Sequence, residues 1–331
     1  MPTYNRVERI KKCLPSFLKT KVEDVQFIII DNNSDDGTWD YLQSVAHYDK
    51  RVELYKNSQN IGAKKSILRG YSEVRSPYVI TLCDDDLMVG DYIFKCLQIF
   101  CHNEDISVIH HKFDRWQTTK NRFKDSFTIY PKGEDAIINM FLAAGVLTGL
   151  ALRMKHFLLR DFSLEENIIY PQVKIVTDMA SKYNVAMIND CGMIDNDFGD
   201  KIDDVEKNQN RPDCMGINER ISYALELKNP LIVQRLAFGL VAYAVRMFLK
   251  FEASDVKRSK KFIKSILFTL NNITPYLILY LFKEKKFKIA FYCLLSLLLK
   301  PAFLINYIFF LLFVFKEFFS NFRRFCKFIF R

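Results

Sequence analysis

The chain has 331 residues and a mass of 39.0 kDa, room for one large domain or two modest ones. Half of it is hydrophobic and 26% is charged, which excludes wholesale disorder. The net charge of +10 is unevenly placed: residues 1–227 carry 29 Lys/Arg against 34 Asp/Glu, whereas residues 228–331 carry 19 against 4, so two parts with different jobs are expected.

Met1-Pro2-Thr3-Tyr4-Asn5-Arg6 has no apolar core of a secretory signal. Val7, Ile10, Leu14, Phe17 and Leu18 then recur at helical spacing, despite Pro15. Val25–Ile30 is a short apolar, β-branched run, read as a buried parallel strand, and it ends in the polar turn Asp31–Thr38. A helix over 39–48, a strand over Val52–Tyr55 and a helix over Ala63–Val74 follow. Ser76-Pro77 closes that helix, and Tyr78–Leu82 is a third strand running into Cys83-Asp84-Asp85-Asp86. Alternation of this kind predicts an α/β fold, mainly a parallel sheet with helices on both faces. Ligands bind such sheets at the carboxyl ends of the strands, where Asp31 and Asp84–Asp86 fall.

Further along, Ile106–His110 reads as a strand, Glu134–Ala144 as a helix, Leu147–Leu152 as a strand or a loop, 168–183 as a helix and Val185–Ile188 as a strand. Asp195–Asp204 is acidic and reads as a loop. The eight cysteines form no C-x-x-C pair and no zinc-spaced cluster with histidine, which suits reduced thiols in a cytosolic setting.

From residue 226 the composition changes to hydrophobic and amphipathic helical patterns. Ile289–Leu299 and Ala302–Phe315 are apolar runs separated by Lys300-Pro301, and neither reaches the ~20 residues of a spanning helix. Residues 302–331 interleave eleven Phe with Lys316, Arg323, Arg324, Lys327 and Arg331, a composition suited to an anionic headgroup boundary. The expectation is a basic, Phe-rich membrane-associating region over 226–331. Residues 231–331 would contact a membrane surface, at the cytoplasmic face of the inner membrane, as a peripheral or monotopic anchor. Long apolar runs are a poor surface for tracking phosphates, so no nucleic acid is expected as a partner. Packing of these helices on the globular part is the alternative.

Three adjacent carboxylates after a strand repel one another unless something positive neutralises them. A divalent cation bridging a diphosphate does this through hard oxygen ligands; an acidic turn capping the next helix is the simpler reading. Pro2-Thr3-Tyr4-Asn5-Arg6, then Ile28–Thr38, then Asn60-Ile61-Gly62, then the Asp triplet occur in this order. Together they resemble the family 2 glycosyltransferases, with the nucleotide-diphospho-sugar (GT-A) fold. The stretch from Asn60 through Arg69, Glu73 and Pro77 to Asp86 is similar, more narrowly, to the abequosyltransferase-like branch.

The resemblance implies a glycosyltransferase domain over residues 1–225 that moves a sugar from a nucleotide-diphosphate sugar to an acceptor hydroxyl. A glycan or lipid-linked acceptor, as in bacterial surface polysaccharide assembly, and inversion by direct displacement go with it. Pro2, Thr3 and Tyr4 would line the nucleoside pocket and Asp31 would meet the base or ribose, with Asn33 beside it. Asn60 and Gly62 would shape the loop beneath the nucleotide, with Lys64 or Lys65 near the phosphates. Asp84 and Asp85 fit the DXD slot, with Mg²⁺ or Mn²⁺ at Asp85 and Asp86. Two departures stand out. Family members carry an apolar strand ahead of the Pro2 motif, and here that position is Met1, so neighbouring strands are expected to lack a partner there. The slot of the general base falls near Tyr170-Pro171-Gln172, leaving Glu165, Glu166 and Asp178 as candidates. A non-catalytic nucleotide-sugar-binding or scaffold protein is the rival reading. A nucleotidyltransferase would need a Gly-rich, cationic phosphate loop that the first strand lacks.

Overall fold

A computed structural model describes residues 1–112, 126–157 and 171–195, with isolated positions between 223 and 236. The chain forms two compact units, Met1–Asn208 and Gln209–Arg331, and the architecture below is that of the first. Beyond residue 236 the expected membrane-associating region, including 289–315, lies outside the described residues. Among the described residues no helix is long and apolar enough to cross a membrane.

The first layer follows the sequence periodicity closely. Helix α1 (Val7–Leu18) buries Ile10, Cys13, Leu14 and Phe17, one stripe at helical spacing. The following turn satisfies the start of this helix: Arg6 N–H donates to Thr38 Oγ1 at 3.0 Å and Val7 N–H to Asp36 Oδ2 at 3.0 Å. Strand β1 (Pro2–Thr3) precedes α1; β2 (Phe27–Asp31), α2 (Thr38–Tyr48), β3 (Val52–Lys56) and α3 (Ala63–Ser72) follow it. β1, β2 and β3 form one parallel sheet in that order, with Pro2 opposite Ile30 and Thr3 opposite Asp31.

The second layer is mixed. Strands β4 (Tyr78–Ile80) and β5 (Asp86–Met88), helix α4 (Tyr92–His102), strands β6 (Ile106–His111) and β7 (Phe127–Tyr130) and helix α5 (Glu134–Ala143) come first. Then come β8 (Ala151–Arg153), α6 (Pro171–Lys182), β9 (Asn184–Ile188) and β10 (Met193–Asp195). A five-stranded sheet runs β4-β8-β6-β9-β7, and β10 pairs with β5. β8 is antiparallel to β4 and to β6, β7 is antiparallel to β9, and only β6 and β9 pair in parallel. The parallel character read from the sequence therefore belongs to the first layer. Leu147–Leu150 is a turn and the strand starts at Ala151.

Arg153 ties this layer together from within. It is buried, donates to the carbonyls of Phe100, Asn103 and Ile106 at 2.7–2.9 Å, and stacks over Tyr78 and Phe100. Between β2 and β4 the two large sheets do not join. An apolar slot of about 310 Å³ separates them, lined among others by Phe27, Ile29, Tyr71, Val79, Leu82 and Phe100.

Candidate functional site

The carboxyl ends of β1, β2 and β4 meet at Thr3. Its backbone is in register with Asp31, and its buried hydroxyl lies beside the Asp84 carboxyl. Thr3, Asp31 and Asp84 are thus brought together. Pro2 is held in β1, while Tyr4 is 42% exposed at the rim.

Asp31 is fully buried and first of all closes its own turn. Ser34 N–H donates to its Oδ2 at 3.1 Å, and the Ser34 hydroxyl donates to Oδ1. The Lys56 ammonium lies 4.0 Å from Oδ2, steadied over the Trp39 ring at 5.2 Å. The turn is hooked to the β1–α1 junction, since Asn5 N–H donates to Ser34 Oγ and Asp35 N–H donates to Asn5 Oδ1. Asn33 is exposed in the left-handed region, φ +69°, which Asn adopts more readily than most residues.

Asn60 is tied to the Asp31 turn through Asn32 of the same motif and through Asn57, which no motif announced. The Asn32 amide donates to Asn60 Oδ1 at 2.6 Å, and Asn32 Oδ1 accepts from Asn57 Nδ2 and Ile61 N–H, both at 2.9 Å. Asn60 Oδ1 also takes Gly62 N–H at 2.9 Å, and buried Asn57 reaches Ser66 Oγ at 3.1 Å and pairs with Arg69. This amide chain fastens the 57–62 loop to the Asp31 turn. Lys65 is exposed on the first turn of α3, and Lys64 is half-buried next to it.

The Asp triplet hangs from β4 by the 148–150 turn. Thr81 N–H donates to Leu150 O and Gly149 N–H to Thr81 O, each at 2.8 Å; Cys83 N–H reaches Thr148 Oγ1 at 3.4 Å. Asp86 is buried and opens β5, while Asp84 and Asp85 are half-buried. Burial, and then the Asp85 charge, push the Asp84 carboxyl up to about 7. Burial and the three neighbouring carboxylates raise the Cys83 thiol well above its usual range. Ligand atoms of Cys83, Asp85 and Asp86 all lie within 4.8 Å of one another. Two carboxylate oxygens with a third donor suit a divalent cation, and Asp85 and Asp86 are the residues that would hold it. Arg6, the last residue of the Pro2 motif, and Arg9, which no motif announced, approach Asp85 Oδ2 at 3.7 and 3.8 Å.

The candidate bases fare differently. Glu165 and Glu166 lie outside the described residues. Asp178 is exposed on α6, seven residues past Pro171, or about 10 Å along the axis. α6 leads into the start of β9, whose carboxyl end is the one beside His111. β4 runs in the same direction as β6 and β9, so Asp178 sits toward the opposite edge of the sheet from the triplet. The structure does not bring Asp178 to the site. The residues at the near end of α6 are Pro171 and Gln172, both buried, and neither is an acid.

A family model, Glycosyl transferase family 2, matches residues 1–168. Glycosyltransferase GlyG of Streptococcus pneumoniae is 21% identical over 177 residues, 52% of this chain and 57% of that protein. The GalNAc(5)-diNAcBac-PP-undecaprenol β-1,3-glucosyltransferase of Campylobacter jejuni is 27% identical over 100 residues, 30% of this chain and 32% of that protein. Two uncharacterized glycosyltransferases of Haemophilus influenzae are matched over 41% and 33% of their lengths, so the chain spans well under two thirds of these curated relatives. Among solved structures, Staphylococcus aureus TarS 1–349 in complex with UDP-GlcNAc superposes with a TM-score of 0.59 at 15% identity, covering 89% of this chain and 86% of that one. At that identity the likeness is one of fold, the α/β GT-A fold.

Proposed function

Because the chain belongs to glycosyl transferase family 2, we propose that it transfers a sugar from a nucleotide-diphosphate donor to an acceptor hydroxyl. The observation that carries this reading is the meeting of Thr3, buried Asp31 and the Asp84–Asp86 triplet at the carboxyl ends of β1, β2 and β4. Pro2, Thr3, Tyr4, Asp31 and Asn33 line the nucleoside side, Asn60 shapes the loop beneath it, and Lys65 stands toward the phosphates. Asp85 and Asp86 would hold Mg²⁺ or Mn²⁺, whose positive charge would offset that of the diphosphate.

In the proposed reaction the acceptor oxygen bonds to the anomeric carbon as the carbon–diphosphate bond breaks, with inversion, and the hydroxyl proton passes to a carboxylate base. Of the base candidates Glu165, Glu166 and Asp178, we favour Glu165 and Glu166, since Asp178 stands exposed about 10 Å along α6 from Pro171. The motif between Asn60 and Asp86 favours the abequosyltransferase-like branch. A lipid-linked saccharide of bacterial surface polysaccharide is the acceptor class we propose, in keeping with the undecaprenol-linked substrate named for the Campylobacter relative. Residues 226–331 would bring the enzyme to the cytoplasmic face of the membrane.

The test is thermal unfolding of the full chain with UDP, GDP, CDP or dTDP, with and without Mn²⁺. Ligand at 100 times its dissociation constant adds about 2.7 kcal/mol to stability. A Mn²⁺-dependent rise with one nucleotide, lost in Asp85→Asn, supports the transferase site and identifies the donor class. No rise with any of the four leaves the scaffold reading in its place.

A further inference from the structure

The chain between β4 and β5 turns at Asp84-Asp85, so Cys83 and Asp86 stand at the two ends of one four-residue turn. The Cα atoms at such ends come within about 7 Å of each other. Three ligand atoms converge there: the Cys83 Sγ and one carboxylate oxygen each from Asp85 and Asp86, all within 4.8 Å of one another. Some point therefore lies within about 2.8 Å of all three, and small side-chain rotations bring it to metal–sulfur and metal–oxygen bond lengths of about 2.3 and 2.1 Å. The turn is tethered to the 148–150 segment by Thr81 N–H, which donates to Leu150 O at 2.8 Å, and by Cys83 N–H, which reaches Thr148 Oγ1 at 3.4 Å.

The other described cysteines have plainer surroundings. Cys13 and Cys96 are buried in the apolar cluster of α1 and α4, where a thiol acts as a small apolar side chain. Cys191 Sγ donates to Met193 O at 2.7 Å, and Cys101 is exposed on α4. Cys83 is half-buried and is placed among carboxylates, where an apolar filler gains little. The same cluster already gathers positive charge, because the Arg6 and Arg9 guanidinium groups approach Asp85 Oδ2 at 3.7 and 3.8 Å. A compact cation at the turn would meet both the charge and the sulfur, which the two long side chains do not combine.

We propose that Cys83 is a sulfur ligand of the cation held by Asp85 and Asp86, and that it makes the site select transition-metal ions over Mg²⁺. This role rests on the donor-site reading above and adds the class of metal. Carboxylates alone discriminate poorly, since hard oxygen ligands suit Mg²⁺ and Mn²⁺ alike. Mg²⁺ prefers oxygen and water to sulfur, whereas the affinity of a mixed sulfur and oxygen site climbs from Mn²⁺ through Co²⁺. The thiol proton passes to solvent as the ion binds.

Co²⁺ added to the full chain without nucleotide is the probe, because a sulfur ligand gives it a near-ultraviolet charge-transfer band that oxygen ligands do not. The band is expected to saturate at one equivalent and to vanish in Cys83→Ser. That variant should still bind Mn²⁺, read by electron paramagnetic resonance, while its preference for Co²⁺ over Mg²⁺ in competition falls at least about tenfold, the least that losing even an outer partner of a metal site costs. Loss of the band in Asp85→Asn assigns it to this cluster with every cysteine intact, so a folding defect of the serine variant cannot decide the matter. Co²⁺ binding without the band, or a band that survives in either variant, overturns the proposal. In those cases Mn²⁺ binding that Asp85→Asn abolishes leaves the donor site standing. Absence of both Co²⁺ and Mn²⁺ binding overturns the cation site together with its sulfur ligand.

Discussion

Asp85 Oδ2 stands 3.7 Å from the Arg6 guanidinium, and Arg9 comes to 3.8 Å of the same oxygen. The two cations hold the carboxylate in place, yet they also compete for it with any divalent ion. Both side chains of the Arg6 pair are partly exposed, so solvent screens the interaction to no more than about 1 kcal/mol. Arg6→Gln is therefore expected to tighten Mn²⁺ binding by about two- to fivefold, read by electron paramagnetic resonance of free Mn²⁺. An unchanged affinity would mean that Asp85 is not a metal ligand.

A Cβ on Gly149 would lie 2.5 Å from His111 Nε2 and 2.6 Å from its Cδ2, at a φ of +77°. The ring cannot retreat easily, because Tyr92 packs on it edge-on with centroids 5.2 Å apart and itself donates to Gly149 O at 2.6 Å. Gly149→Ala combines overpacking with backbone strain and should cost about 2–4 kcal/mol. Gly37→Ala, with φ +91° and nothing within 4 Å, incurs the strain alone. The thermal midpoints of the two variants, compared with the parent, separate the contributions.

Burial, and then its neighbour His110, lower the His111 imidazole to about 3. Its ring faces His110, Lys112 O, Thr148 O and Tyr92. The folded protein keeps this group neutral while the unfolded chain takes up a proton near the ordinary value of 6.5. Stability from His111 is therefore fully present above pH 6.5 and is lost as pH falls toward 3. Denaturant midpoints measured from pH 7 to 4 should fall less steeply in His111→Gln than in the parent.

Asn57 is buried and bridges Asn32, Ser66 and Arg69. Asn57→Ala strands these partners, which should cost about 1–3 kcal/mol. It also unfastens the 57–62 loop beneath the proposed nucleotide, so the KM for the donor should rise more than kcat falls. Steady-state kinetics with a fixed acceptor would show the split, and equal effects on both constants would place Asn57 outside donor binding.

The first layer was legible because its elements announce themselves locally: α1 through the Ile10–Phe17 stripe, β2 through an unbroken apolar run, and the Asp84–Asp86 site through three like charges at a strand end. Less could be read where meaning depends on distant partners. β5 is three residues whose pairing waits for Met193–Asp195, and β8 is a strand only because β4 and β6 flank it. Asn57 and Arg9 look like ordinary polar surface residues until the fold sets them beside Asn32 and Asp85. Asp178 is the reverse case: an acid near the slot in the sequence that α6 carries, exposed, about 10 Å past Pro171.

Arg153 has a consequence in time as well as in space. Its acceptors Ile106, Phe100 and Asn103 lie 47, 53 and 50 residues earlier in the chain, and Tyr78 lies 75 residues earlier. The end of α4 and the start of β6 therefore keep three carbonyls without this partner until a distant strand arrives. Closing so long a loop costs entropy before the contacts repay it. The guanidinium acts as a late clasp: removing it should hasten unfolding far more than it slows folding, and so shorten the native lifetime.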